Sequence, residues 1–245
     1  MDFDNLWWLA PSFSSYSGPI DVMWNVITVI IMIAFFGVEI ALVLFLLKYK
    51  GQPGRKAFYT HGSHKLEIVW TCAPTVILVA LGLYSTGMWD EIKNTFPKDG
   101  EAYTIRIVAQ QFNWNVYYPG PDGRLDTADD FSNSAGVVVV PENETVLIKL
   151  GSKDVIHSLF IPHMRVKQDA VPGTVMKVWF KPTRAGEVAP PGRRLDHRMA
   201  VLDKDFPYLP YEIACAELCG FGHYRMFGRL YVMPRAEVDR WLAAQ

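Results

Sequence analysis

The sequence is poor in cysteine, with three in 245 residues, at positions 72, 215 and 219. So few cysteines exclude the disulfide framework that stabilises many small secreted folds. The haem-attachment pattern Cys-x-x-Cys-His is also absent, which excludes a covalently bound c-type haem in this chain. The formal net charge is −1 at pH 7, so there is no basic surplus to attract nucleic acid, and we expect no nucleic-acid partner.

Basic residues are missing from the first 21 positions, which contain Asp2, Asp4 and Asp21 but no Lys or Arg. A secretory signal peptide starts with a positively charged region. The sequence therefore predicts no cleaved signal peptide. It also contains no internal repeat and no low-complexity tract.

Two long runs are almost free of charged side chains. Residues 24–47 contain Glu39 as their only acidic or basic residue, and residues 68–88 contain none. Each run is long enough to cross the hydrocarbon core of a membrane, which takes about 20 apolar residues in a helix. The runs predict a transmembrane helical hairpin, in which a carboxylate such as Glu39 is a candidate functional residue.

The connection between these runs is basic, whereas the segment before the first run is acidic. The basic residues are Lys48, Lys50, Arg55, Lys56 and Lys65. Short cytoplasmic loops carry the excess of Lys and Arg in membrane proteins. We therefore expect a multi-pass protein of a bacterial inner membrane, with both termini and the C-terminal domain on the outer, periplasmic side.

The remainder of the chain has the pattern of an all-β domain. Short runs alternate between apolar and polar residues or are continuously apolar, and Gly- and Pro-containing turns separate them. Many short strands of this kind predict a sandwich or a barrel. We expect a membrane segment over residues 1–94 and a water-exposed domain over 95–245. The predicted strands are residues 103–109, 137–140, 145–150, 175–180 and 229–233.

A cluster of metal-binding residue types lies near the C-terminus. Cys215, Cys219, His223 and Met226 follow one another at spacings of four, four and three. Thiolates, imidazole and thioether form a transition-metal ligand set, and the Met favours copper over zinc. A mononuclear copper site needs one Cys, so a second Cys suggests two bridged metals. A disulfide, or ordinary core and loop roles for these residues, are the alternatives.

Residues 215–226 read Cys-x-Glu-x-Cys-Gly-x-x-His-x-x-Met. This pattern resembles the CuA signature of subunit II of haem-copper cytochrome c oxidases. The resemblance implies a two-helix membrane hairpin followed by a cupredoxin-like β-barrel. It also implies a binuclear copper centre that accepts electrons from cytochrome c and passes them to haem in subunit I. There oxygen reduction is coupled to proton pumping, so the chain would be an oxidoreductase subunit without an oxygen-reducing site of its own.

The same resemblance implies the ligands. Asp154-Val-Ile-His157 matches the upstream ligand segment of the family, whereas His163 occupies a position that the family does not use as a ligand. The carboxylate at position 217 would reach a magnesium ion at the contact with subunit I, and a surface Glu is the alternative. The implied CuA ligands are His157, Cys215, the main-chain carbonyl of Glu217, Cys219, His223 and Met226.

An aromatic segment, residues 110–118, resembles the family segment that lies over the copper site. The family has a Trp at the position of Phe112, and electrons usually enter from cytochrome c at that Trp. Trp114 would face the same side as Phe112 in a strand. Either aromatic could mediate electron transfer, or both could be core packing residues.

Three carboxylates match positions of the family that are less specific to it than the copper ligands. Asp154 and Asp169 match acidic residues that dock basic cytochromes c, and Glu67 matches the residue at the cytoplasmic mouth of a proton channel in subunit I. Isolated surface carboxylates and a helix-start Glu are the ordinary alternatives. Residues 184–210 are longer than the usual connection into the Cys loop, and their basic residues could favour a different donor or an extra subunit.

Two further functions compete with the oxidase hypothesis. One is a CuA subunit of another haem-copper respiratory reductase, of the nitric oxide reductase type, which only the large partner subunit would distinguish. The other is a membrane-anchored cupredoxin that carries copper, which an exchangeable single-copper site would support. The two-thiolate ligand set argues against the carrier.

Overall fold

The computed structural model describes residues 9–57, 59–98, 100–188 and 208–245. Most of the predicted insertion over residues 184–210 therefore lies outside the described residues, as do Asp2 and Asp4. The chain divides into two compact units. One is Pro19–Glu91, and the other joins Met1–Gly18 to Ile92–Gln245.

The first unit consists of two long helices. Helix α1 is Ser17–Lys48 and helix α2 is His64–Trp89, followed by one π-helical turn, Asp90–Asn94. The hydroxyl of Ser63 caps α2 by accepting a hydrogen bond from the Leu66 amide at 3.5 Å. Both helices are long and apolar enough to cross a membrane, and they contain the predicted spans 24–47 and 68–88.

The second unit is a sandwich of two five-stranded sheets. The strands are β1 Tyr103–Gln110, β2 Asn113–Tyr118, β3 Phe131–Asn133, β4 Val137–Pro141, β5 Val146–Ser152, β6 His157–Ile161, β7 Val166–Ala170, β8 Met176–Phe180, β9 Tyr211–Cys215 and β10 Phe227–Met233; helix α3 is Arg235–Ala243. One sheet has the strand order β3-β2-β1-β5-β8 and the other β4-β10-β9-β6-β7. Strand β1 pairs in parallel with β5, and β10 pairs in parallel with β4, whereas the other pairs are antiparallel.

The core lies between the two sheets. In β1 alternate residues such as Ile105 and Ile107 are fully buried, as the period of two in a half-buried strand requires. Tyr118 connects the sheets, because its hydroxyl accepts a hydrogen bond from the Val139 amide at 2.7 Å and donates to the Val137 carbonyl at 3.4 Å. The expected fold class is confirmed as two long apolar helices and an all-β domain of two packed sheets.

The segment before α1 packs on the β domain, a contact that the sequence did not indicate. The Phe13 amide donates to the His163 carbonyl at 2.7 Å, and the Thr183 amide donates to the Phe13 carbonyl at 2.8 Å. The Tyr16 hydroxyl donates to the Trp179 carbonyl at 2.9 Å. These bonds explain why residues up to Gly18 group with the second unit.

Candidate metal centre

The loop over residues 215–226 connects β9 to β10, which are antiparallel neighbours. Its two ends are joined by a hydrogen bond from the Cys215 amide to the Met226 carbonyl at 3.2 Å. Strand β6 lies on the other side of β9, with Leu159 opposite Cys215. His157, at the start of β6, is therefore brought to the base of this loop although it lies 58 positions earlier in the chain.

Two free sulfurs and an imidazole form the centre of the site. The Sγ atoms of Cys215 and Cys219 are 3.8 Å apart, and Nδ1 of His157 lies 3.9 Å from Sγ of Cys215. A disulfide requires about 2.05 Å between its sulfurs, so the two thiols are not bonded. Metal–thiolate bonds of about 2.3 Å let one ion contact two sulfurs up to about 4.6 Å apart. His157, Cys215 and Cys219 can therefore hold a metal ion.

The other predicted ligands surround these two sulfurs. Nδ1 of His223 lies 3.6 Å and Sδ of Met226 lies 3.8 Å from Sγ of Cys219. The carbonyl oxygen of Glu217 lies 3.2 Å from Sγ of Cys215. Met226 is 1% exposed and Cys219 and His157 are also buried, whereas Cys215 and His223 are partly exposed. Soft and borderline donors of this kind suit copper.

Asp154 orients the buried imidazole of His157. Its Oδ1 lies 2.9 Å from Nε2 of the ring, and the same carboxylate accepts hydrogen bonds from the amides of Gln111 and Val155, each at 2.7 Å. Burial opposes ionisation, but these hydrogen bonds outweigh it and hold the pKa of Asp154 below its usual value. With the proton on Nε2, the lone pair of Nδ1 is free to bind a metal.

The thiol of Cys219 is difficult to ionise without a cation. Burial, followed by the neighbouring Cys215, raises its pKa to about 11. Two thiolates 3.8 Å apart repel each other unless a positive ion lies between or beside them. Metal binding at this site would therefore release protons, as expected for thiolate ligands.

The structure separates the two aromatic residues that we expected on one strand face. Strand β2 begins at Asn113, so Phe112 lies in the turn before it and does not share a face with Trp114. Trp114 is fully buried, with its ring centroid 6.3 Å from that of His157. The ring centroid of Phe112 lies 4.9 Å from that of Phe221, an exposed residue that sequence reasoning did not identify.

The structure also places the remaining predicted residues. Asp169 is on β7, opposite Ser158, which follows His157 in β6. Glu67 is in the first turn of α2, with Oε2 3.1 Å from Nδ1 of the His64 side chain. His163 is half-buried and packs with the rings of Phe13 and Tyr211, which also contact each other.

Comparisons with known proteins agree with this architecture. The family model of the cytochrome c oxidase subunit II transmembrane domain matches residues 7–88. The model of the cytochrome c oxidase subunit II periplasmic domain matches residues 122–190, which end before the Cys loop.

Individual relatives extend the match over nearly the whole chain. "Alternative cytochrome c oxidase subunit 2" of Bradyrhizobium diazoefficiens is 28% identical over 98% of this chain and 84% of its own length. "Cytochrome c oxidase subunit 2" of Alkalihalophilus pseudofirmus is 28% identical over 89% of this chain and 56% of its own length. Among solved structures, the periplasmic domain of subunit II of cytochrome oxidase of Bradyrhizobium japonicum is 24% identical, with a TM-score of 0.45, over 61% of this chain and 96% of that one. The chain belongs to the cytochrome c oxidase subunit II family.

Proposed function

We propose that this chain is the electron-accepting subunit of a membrane-bound haem-copper cytochrome c oxidase. The observation that carries the proposal is the pair of sulfurs 3.8 Å apart, flanked by one imidazole nitrogen at Cys215 and another at Cys219. A mononuclear copper site of the His₂Cys type needs only one thiolate. The symmetry of the donors supports a binuclear copper centre.

The proposed ligands are the six groups that converge at the Cys loop. A bound copper pair would supply a centre that gains and loses one electron at a time. The protein contributes a rigid shell, because His157 is fully buried and held by Asp154, and Cys219 is 3% exposed. Such a shell keeps water out and limits movement of the ligands. The proposed ligands are His157, Cys215, the Glu217 carbonyl, Cys219, His223 and Met226.

The side chain of Glu217 has a separate proposed role. Its carbonyl is directed at Sγ of Cys215, and the residue is exposed. A carboxylate oxygen suits a hard cation, so we propose that it binds a magnesium ion shared with subunit I. Subunit I carries the haem that receives the electrons and reduces oxygen, and proton pumping belongs to that complex.

The proposed electron path runs inward through the aromatic side chains. The ring of Phe112 is at the surface of the Cys loop, and Trp114 contacts the imidazole of His157 from inside the domain. Carboxylates at Asp154 and Asp169 would attract a basic c-type donor. We also propose that Glu67, at the N-terminal end of α2, lies at the mouth of a proton channel in subunit I.

The proposed topology follows from the charge of the connection between α1 and α2. Lys50, Arg55 and Lys56 are exposed there, and such loops stay in the cytoplasm. Both termini and the β domain would then lie on the periplasmic side. A thiol-reactive, membrane-impermeant label would modify a cysteine introduced at Gln52 only after the membrane is opened, and labelling of intact cells would contradict this topology.

The copper assignment is tested on the oxidase purified with its other subunits. We expect two coppers per chain that share one unpaired electron in electron paramagnetic resonance spectra. Cys215→Ser and His157→Ala should lose this copper, whereas Cys72→Ser, which changes the exposed cysteine of α2, should keep it. Met226→Leu should retain copper with an altered spectrum, because the thioether tunes the site more than it anchors it. Unchanged copper in both ligand variants, or zinc or a single copper in the wild type, would reject the proposal.

A further inference from the structure

The turn between β1 and β2 is hydrogen-bonded to both segments that carry the proposed ligands. Gln111 follows the last residue of β1. Its main-chain amide donates to Oδ2 of Asp154 at 2.7 Å, and its side-chain Nε2 donates to the carbonyl oxygen of Cys219 at 2.6 Å. Asp154 orients His157 at the start of β6, whereas Cys219 lies in the loop between β9 and β10. One residue outside the ligand set therefore connects the two segments.

The side-chain amide of Gln111 lies where position 220 has no side chain. Gly220 has a φ of +133°, which favours glycine. A Cβ at this position would lie 2.8 Å from Nε2 of Gln111. A larger residue would therefore push the amide away from the carbonyl of Cys219, which is itself a buried residue. The Cys loop thus leaves room for this amide directly beside one of the two sulfur-bearing residues.

The two hydrogen bonds of Gln111 place different demands on the residue at this position. The bond to Asp154 uses the main-chain N–H, which every residue except Pro supplies. The bond to Cys219 needs a side chain that ends in a donor and has the length of Gln. A residue that only closed the turn would need the first bond alone. The second bond therefore points to a role at the metal centre.

We propose that Gln111 is a positioning residue of the metal centre. Its side-chain amide fixes the main chain at Cys219, and so the sulfur of this residue, relative to the imidazole of His157 that Asp154 holds. This inference rests on the proposed function. Without the amide, the Cys loop could move relative to β6 while every ligand was still present.

The test removes the donor and keeps the main-chain bond. Gln111→Leu has a side chain of similar size without a hydrogen-bond donor. In competition with a copper chelator, we expect the full-length variant to bind copper about tenfold more weakly than the wild type, the lower end of the usual effect of losing such a partner. Gln111→Asn keeps the amide on a side chain one methylene shorter, and it should have a smaller effect in the same direction.

Spectroscopy separates positioning from a purely structural role. In the purified oxidase, loaded with copper, Gln111→Leu should show unequal hyperfine splittings from the two coppers and a shifted midpoint potential, because Cys219 is no longer fixed relative to His157. The free energy of unfolding of the metal-free chain should stay close to that of the wild type. A loss of this stability with an unchanged spectrum and potential would mean that Gln111 only closes the turn, and would overturn the inference.

Gln110→Leu is the matched control, because it makes the same chemical change one residue earlier. The side chain of Gln110 has no hydrogen bond among the residues that the structure describes. This variant should keep the copper affinity and the spectrum of the wild type. Equal effects of Gln110→Leu and Gln111→Leu, wild-type affinity in Gln111→Leu, or failure of both Gln111 variants to fold would each contradict the positioning role.

The bond to Asp154 provides a second test. Asp154→Ala releases the turn that carries Gln111, so the amide is no longer held at Cys219 even when it is present. The loss of copper affinity in Gln111→Leu combined with Asp154→Ala should therefore be smaller than the product of the two single losses. A loss equal to that product would show that the two residues act independently, and the proposed connection would be wrong.

The copper content of the wild type separates this inference from the proposed function. If the wild type holds two coppers that share one electron and Gln111→Leu behaves like the wild type, the positioning role is wrong and the proposed function stands. If the wild type lacks the copper pair, the proposed function fails, and the inference fails with it.

Discussion

Oδ1 of Asp154 lies 2.9 Å from Nε2 of His157, three residues further along the chain. The carboxylate also accepts from the amides of Gln111 and Val155, so it is fixed before any metal binds. Its position determines which ring nitrogen carries the proton and leaves Nδ1 directed at Sγ of Cys215. The side chain of Asp154 is 29% exposed, so the carboxylate that orients His157 is also partly open to solvent.

Loss of this carboxylate should weaken copper binding. We expect Asp154→Ala to lower copper affinity about 10- to 100-fold, the usual effect of removing a partner of a metal-binding imidazole. Asp154→Asn should have a smaller effect, because the amide oxygen can still accept from Nε2. Competition with a copper chelator on the full-length protein measures the affinity. Asp169→Asn is the control, and an effect as large as that of Asp154→Ala would mean that net charge, not orientation, sets the affinity.

Gly222 should tolerate no side chain while Phe112 is present. A Cβ 2.5 Å from the ring forces the ring or the loop to move, and overpacking of this kind costs about 1–3 kcal/mol. We expect Gly222→Ala to lower the free energy of unfolding by that amount in denaturant titrations. In a Phe112→Ala background the same substitution should cost much less, since the colliding ring is gone.

Gly151→Ala provides the control for this pair. The nearest atom to a Cβ at position 151 is the carbonyl oxygen of Thr174 at 3.6 Å, an ordinary contact. Its effect should therefore be small and independent of Phe112. Additive costs for Gly222→Ala and Phe112→Ala would show that the two residues do not pack as described.

The hydroxyl of Tyr118 should contribute to stability through one bond between the sheets. In Tyr118→Phe the buried amide of Val139 loses its acceptor, which costs about 1–3 kcal/mol for an unsatisfied group. Tyr103→Phe is the comparison, because its buried hydroxyl has no hydrogen-bond partner among the residues that the structure describes. Thermal or urea unfolding should show a loss for the first variant and little change for the second. Similar losses for both would contradict the assigned role of the Tyr118 hydroxyl.

The fold could be predicted from the sequence where one face of an element is buried. Strand β1 alternates cleanly between buried and half-buried residues, so its pattern was visible at residues 103–109. Strand β6, by contrast, has four buried residues in five, and a strand covered on both faces shows no alternation of apolar and polar residues. Strand β3 is three residues long and too short to carry a period.

The ligands of the candidate site also differ in how well the sequence alone predicted them. Cys215, Cys219 and His223 lie close together in one loop, so their spacing alone indicated a metal site. His157 is brought to them by pairing of β6 with β9, which no local pattern reveals, and only the family resemblance pointed to it. The contact between Phe112 and Phe221 joins the turn between β1 and β2 to a loop of the other sheet, and no local sequence pattern reveals such a contact.

His163 should make the stability of the β domain depend on pH. Burial beside aromatic rings, and then the charge of Arg165, lower the pKa of this imidazole below its usual value. As the pH falls below about 6.5, the unfolded chain takes up a proton that the folded domain does not, so the free energy of unfolding decreases until the folded pKa is passed. In urea titrations of the full-length protein, followed by tryptophan fluorescence, His163→Gln should lose less stability than the wild type between pH 7.5 and pH 5.5. His61→Gln, in the exposed connection between α1 and α2, is the control, and equal pH dependence in the wild type and His163→Gln would reject this prediction.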